Sequence, residues 1–115
     1  MLPSNLYLVF SKPPNGLPGE EYDAWYHHHI RENIQTPGFV AGQRFGVKPV
    51  VPSGEAPVPY SHLALYEYDG DIAKLRAALE ERIKAADIVL PEWFPRIGFG
   101  TWDCSALEER VLRKP

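Results

Sequence analysis

The sequence contains one cysteine, Cys104, in 115 residues. It can therefore form no disulfide within the chain and no thiolate cluster for zinc, and a reducing compartment, the cytoplasm, is the expected location. It has no apolar run near the ~20 residues that cross a bilayer. Its first residues also lack a charged start followed by an apolar stretch, so neither a membrane nor secretion is expected. Positive charge is not in excess: the formal net charge is -3, with acidic and basic residues interleaved. No basic stripe is left to neutralise a phosphate backbone, which removes nucleic acid from the expected partners. A glycine-rich phosphate loop is missing too, as is a recognisable set of metal ligands, so the expectation is chemistry without cofactor or metal.

What is present is the composition of one folded domain spanning residues 1–115. The chain is 44% hydrophobic and 12% aromatic, and its 12 prolines fall mostly in stretches that read as connections. Leu6-Tyr7-Leu8-Val9-Phe10, ended by Lys12-Pro13-Pro14-Asn15-Gly16, predicts a first strand over 5–11 followed by a turn-rich loop. From Gly19 to about Gln35 there is no proline, and Thr36-Pro37-Gly38 stops a helix there. Phe39 to Val47 reads as a second strand whose Gly42 and Gly46 suggest bulges or close contacts. Lys48 to Pro59, with its prolines and Ser53-Gly54, reads as a loop.

Tyr60 to Tyr68 alternates between two faces, with Tyr60, His62, Ala64, Tyr66 and Tyr68 on one of them, and predicts a third strand. Asp71 can cap a second helix in which Ile72, Leu75, Leu79 and Ile83 recur at spacings of three and four, while Lys74, Arg76, Glu80 and Lys84 face water. Leu90 to Pro95 is an apolar loop, Ile97 to Cys104 a last strand, and Leu107 to Pro115 a charged tail. Cys104 is expected to be a buried small residue. The order strand, helix, strand, strand, helix, strand is the split βαβ arrangement of a ferredoxin-like α+β domain with a four-stranded antiparallel sheet. Two helices on one face leave the other sheet face bare, and a homodimer burying sheet on sheet would cover it.

The first helix is the most informative stretch. At 100° per residue, Trp25, His29, Tyr22, Asn33, Tyr26 and Ile30 share one face. Three adjacent histidines, His27, His28 and His29, point about 100° apart and cannot chelate one ion together. His27 lies with Arg31, His28 lies beside Glu32, and His29 falls at the centre of the inward face. Burial among aromatic rings would bring its pKa near neutrality and suit it to move protons. The bland alternative is a core histidine bonded to a carbonyl or a tyrosine. Against that, Tyr22, Trp25, Tyr26, His29 and Asn33 can all hydrogen-bond, an inventory that lines a pocket more readily than a packed core. His62 and Tyr66, on a common strand face, are the next catalytic candidates; packing in a dimer interface is the alternative for both. Arg44 could anchor a carboxylate or phenolate, or serve in a surface ion pair. Trp93 and Phe94 could form a lid or pack on a partner subunit.

With Tyr22-x-x-Trp25-x-x-x-His29, Pro37-Gly38-Phe39 and Arg44-Phe45 in this order of elements, the chain resembles the dimeric α+β-barrel superfamily, most closely its EthD-like branch. The resemblance implies a cleft between helices and sheet that holds a small aromatic or polyketide-like molecule. It also implies that His29 is the histidine facing that cleft, with Trp25 its aromatic neighbour. The triplet departs from a single-histidine pattern, so His28 stands beside His29 as a candidate for the inward position.

Such a fold does not select a reaction. The leading expectation is a cofactor-free lyase, isomerase or cyclase using His29 as general acid and base, aided by Tyr66 and His62, with Tyr22, Trp25, Tyr26, Asn33 and Arg44 holding the substrate. A cofactor-free oxygenase of a phenolic or anthrone-like compound is the close alternative. A non-catalytic small-molecule-binding or stress-responsive protein is a third, and polar aromatics serving only a dimer interface a fourth.

Overall fold

The run of apolar and aromatic residues after Asn5 forms β1 (Asn5–Lys12), the second strand from one edge of a four-stranded antiparallel sheet. The computed structural model describes residues 5–50 and 59–115. Along the chain, β1 is followed by α1 (Gly19–Asn33), β2 (Phe39–Gly46), β3 (His62–Tyr68), α2 (Ile72–Lys84), a single 3-10 turn at Phe94–Arg96 and β4 (Gly98–Ser105). The strand order is β2-β3-β1-β4, and every pairing is antiparallel. This is the expected ferredoxin-like α+β fold. The expected loop from Lys48 to Pro59 lies outside the described residues from 51 to 58.

Period-two alternation sorts the strand side chains. Tyr7, Val9, Ala64, Tyr66 and Tyr68 form one buried cluster with Tyr22, Tyr26 and Ile30 of α1 and Leu75 of α2. Both helices therefore cover the same sheet face. His62 and Tyr66 belong to this covered face, which corrects their alternative assignment to a sheet-on-sheet interface. Cys104 faces the other way, opposite Leu6, and is half-buried rather than enclosed.

The helix ends have local causes. Asp71 Oδ1 accepts a hydrogen bond from the Ala73 amide at 2.7 Å and starts α2, as its sequence suggests. At the end of α1, Gly38 takes φ +109°, a conformation open to glycine, so that the chain can turn into β2. Arg82 of α2 donates from Nη1 to the Glu32 carbonyl at 2.5 Å and to Thr36 Oγ1 at 2.8 Å. A carbonyl in the last turn of α1, which also accepts from the Gln35 amide at 3.3 Å, thus gains a charged donor from the neighbouring helix. Along α2, Leu75 is buried, whereas Leu79 and Ile83 further on line an open space between the helices. That incomplete packing is the origin of the site.

Candidate functional site

Helical geometry separates the three histidines as their spacing requires. His27 and His28 are exposed, and His28 Nε2 lies 3.7 Å from Glu32 Oε2. His29 is 8% exposed and points between α1 and the sheet. The inward position is therefore held by His29 and not by His28. Trp25 stacks on its ring at a centroid distance of 4.4 Å, and Tyr26 meets it edge-on at 5.5 Å. Phe94 of the 3-10 turn packs beside both rings, 6.4 Å from His29 and 6.0 Å from Trp25.

His29 lines a cavity of about 260 Å³ between the two helices and the sheet. Tyr26 and Asn33 share its α1 wall; Tyr7, Val9, Tyr66 and Thr101 form the floor; Arg76, Leu79, Glu80 and Ile83 supply the α2 wall; Leu90, Phe94 and Phe99 complete it. The volume falls just below the range of ~300–1,000 Å³ usual for drug-sized ligands, which suits a molecule of two or three fused rings.

Three side chains form the polar part of the α1 side. Asn33 Nδ2 donates to the Tyr66 hydroxyl at 3.0 Å and lies 3.1 Å from His29 Nε2. An amide nitrogen can only donate, so with this amide orientation Nε2 accepts and the neutral ring carries its proton on Nδ1. That Nδ1 is buried and has no hydrogen-bond partner among the described residues. Burial, aided by the charge of His28, lowers the His29 pKa to about 4. The shift is away from neutrality, against the sequence expectation, because the aromatic walls desolvate the cation and no carboxylate compensates. Tyr66 is pushed up to about 12, chiefly by burial and against hydrogen bonds from Asn33 and Tyr26. Desolvation likewise holds the Tyr26 phenol protonated, well above its ordinary range. At neutral pH the site is uncharged on this wall and rich in donors.

The remaining candidates lie elsewhere. Arg44 Nη2 pairs with Asp23 Oδ1 at 2.6 Å, and its guanidinium sits 5.0 Å from the centre of the Tyr26 ring. It is paired and is not among the residues that line the cavity, so the ion pair named as its alternative role is the one present. His62 Nε2 reaches the same Asp23 Oδ1 at 3.3 Å, and its Nδ1 lies 2.8 Å from Ser61 Oγ. Asp23 is accordingly held below its ordinary carboxylate range, first by the hydrogen bond from Arg44. Tyr22 is fully buried and donates to Ser11 Oγ at 2.6 Å; it supports the site from below without lining the cavity. Trp25 likewise acts through its stack on His29.

Of the eight residues picked from the sequence, Tyr26, His29, Asn33 and Tyr66 come together on the cavity wall, while Tyr22, Trp25, Arg44 and His62 stand behind it. Arg76 and Glu80 are exposed, as the sequence reading has them, but the gap left beside Leu79 lets them border the cavity too, which that reading missed. It also missed Tyr7, whose inward direction was readable from the alternation of β1. Among the described residues, no three His, Cys, Asp or Glu side chains are grouped to hold a metal ion. None of the helices among them is long and apolar enough to cross a membrane.

No protein-family model matches this sequence, and no curated protein sequence does either. Solved structures do match. SnoaB of Streptomyces nogalater, a cofactor-independent oxygenase, superposes with a TM-score of 0.60 at 14% identity over 92% of this chain and 96% of its own. MhuD of Mycobacterium tuberculosis, a haem degrader seen with two haems in its active site, gives 0.59 at 18% identity over 93% and 99%. The chain has the ferredoxin-like α+β fold of these structures. The cavity that His29, Asn33 and Tyr66 line lies between its helices and its sheet.

Proposed function

We propose that this chain is a cofactor-independent oxygenase of a small hydroxylated aromatic or anthrone-like compound bound in the cavity. The observation that carries the reading is the His29, Asn33 and Tyr66 cluster, which offers donors and no charge to an oxygen atom of a ligand. Tyr66 accepts from Asn33 and keeps its own hydrogen to give, and Asn33 is held in turn against His29 Nε2. Such a donor stabilises a developing phenolate or enolate, the species that reacts directly with dioxygen. In the simplest case a ring methylene loses two hydrogens; one atom of dioxygen becomes the new carbonyl oxygen and the other leaves as water.

The lyase, isomerase or cyclase reading asks more of His29 than its environment supplies. With a pKa of about 4, roughly one ring in a thousand carries the proton a general acid needs at pH 7, and the neutral ring is a weak base. The oxygenase reading needs only a substrate acidic enough to ionise against the donors, and the function of SnoaB on the same fold is in keeping with it. Placement in the EthD-like branch is proposed on the Tyr22-x-x-Trp25-x-x-x-His29 pattern. A single domain over residues 1–115, a cytoplasmic location and a homodimer belong to the same proposal.

The test is aerobic incubation with a panel of two- and three-ring phenols and anthrones, following dioxygen uptake and product mass. A compound that gains one oxygen and loses two hydrogens is expected. Tyr66→Phe is expected to lower kcat by about a hundredfold while binding persists, the usual cost of one lost oxyanion donor. Binding without turnover by any panel member would instead favour the non-catalytic binding protein.

A further inference from the structure

Arg76 is the one cationic side chain on the cavity wall. Its Nη1 donates to the Tyr7 hydroxyl at 3.0 Å, and among the described residues it makes no ion pair. A guanidinium has five N–H donors in a rigid fork suited to a carboxylate, and one of them is occupied here. Tyr7 is buried, so the bond ties the head group of the exposed Arg76 to the cavity floor. Tyr7 and Tyr66 are direct register partners on adjacent strands, with ring centroids 6.1 Å apart. The cation on the hydroxyl of the first and the Asn33 donor on that of the second thus mark neighbouring tyrosines of the cavity floor.

We propose that the ligand is an aromatic hydroxy acid, with its carboxylate on Arg76 and its hydroxyl at Tyr66. This rests on the cavity being the ligand site, and it adds the chemical class of that ligand. Glu80, one turn further along α2, also lines the cavity and opposes an anion. Among the described residues it has no partner in the wall, whereas Arg76 is held by Tyr7, so the bound carboxylate meets the cation first. An acidic substituent at this distance also lowers the demand on His29, since a carboxylate held by Arg76 orients the ring without any proton transfer by the protein.

Calorimetric titration at pH 7.5 with 6-hydroxy-2-naphthoate and with 2-naphthol, the same molecule without its carboxylate, tests this. Wild type is expected to bind the acid at least ~10-fold more tightly, a difference of about 1.4 kcal/mol. In Arg76→Gln that preference should vanish while 2-naphthol affinity stays within about twofold, which also shows the variant folded. Arg76→Lys should restore part of the preference, and Glu80→Gln should raise affinity for the acid alone. Equal affinity of wild type for the two compounds, or a preference that survives Arg76→Gln, overturns the proposal and leaves the cavity as the ligand site. Failure of both compounds to bind wild type overturns the cavity reading along with it.

Discussion

A histidine among aromatic rings can be a proton carrier or a fixed donor, and what separates the two is whether anything stabilises its cation. At His29 nothing does: Trp25, Tyr26 and Phe94 surround the ring, and the one polar neighbour, Asn33, donates to it. The consequence shows in stability. Above its ordinary value of 6.5 the ring is neutral folded and unfolded, and it adds nothing to pH dependence. As pH falls from 6.5 towards about 4, the unfolded chain takes a proton that the folded chain refuses, so stability drops, by up to about 3 kcal/mol in all. Asp23 works in a separate window, since its folded pKa lies below the ordinary 3.8 and its contribution is lost only on further acidification. Urea denaturation at half-unit pH steps should therefore show a slope between pH 6.5 and 4 that His29→Phe flattens. An unchanged slope in that variant would mean that His29 titrates normally in the folded protein. The inward direction of His29 was legible from helical spacing alone. Its depressed pKa was not, because the burial comes partly from Phe94, 65 positions away in sequence.

At the scale of elements, α1 holds its site residues in place only because β2 lets it come close. A Cβ built on Gly42 would sit 2.9 Å from Ile34 Cγ2, 3.2 Å from Tyr66 Cδ1 and 3.3 Å from Ile30 Cδ1. The close contact suspected from the glycine is thus a helix resting on bare strand backbone beside Tyr66. Gly42→Ala should cost about 1–3 kcal/mol through overpacking, read as a lower urea midpoint, and should weaken ligand binding by pushing α1 away from Tyr66. A neutral outcome would show that Ile34 can turn aside freely. The elements themselves were readable because their periodicities switch cleanly between two and 3.6. Only their limits moved: β3 begins at His62 rather than Tyr60, whose ring instead packs on Phe10 at 5.8 Å. The Arg82 cap on α1 and the pairing of Arg44 with Asp23 were not readable, since each joins residues that nothing in the local pattern relates.

The whole molecule is a single layer of sheet under a single layer of helices, and such a layer is complete on one side only. The uncovered face carries Leu6, Leu8 and Phe10 of β1, Leu63 and Leu65 of β3, Phe45 of β2 and Trp102 of β4. Trp102 is 61% exposed and Phe45 40%. These side chains alternate with the buried cluster, so the same pattern that builds the core places a second apolar surface opposite it. A contiguous apolar face of this extent is unusual on a monomer. The self-complementary way to cover it is an isologous pairing of two such sheets. Light scattering coupled to size exclusion should accordingly give twice the 13.0 kDa chain mass at micromolar concentration. Leu65→Lys combined with Trp102→Lys should give the single-chain mass, since two buried cations facing their own copies cannot be neutralised. The helix-side cavity is formed by one chain, so this double variant should still bind ligand if it stays folded. A wild type that runs at 13.0 kDa would instead leave the open face to another partner.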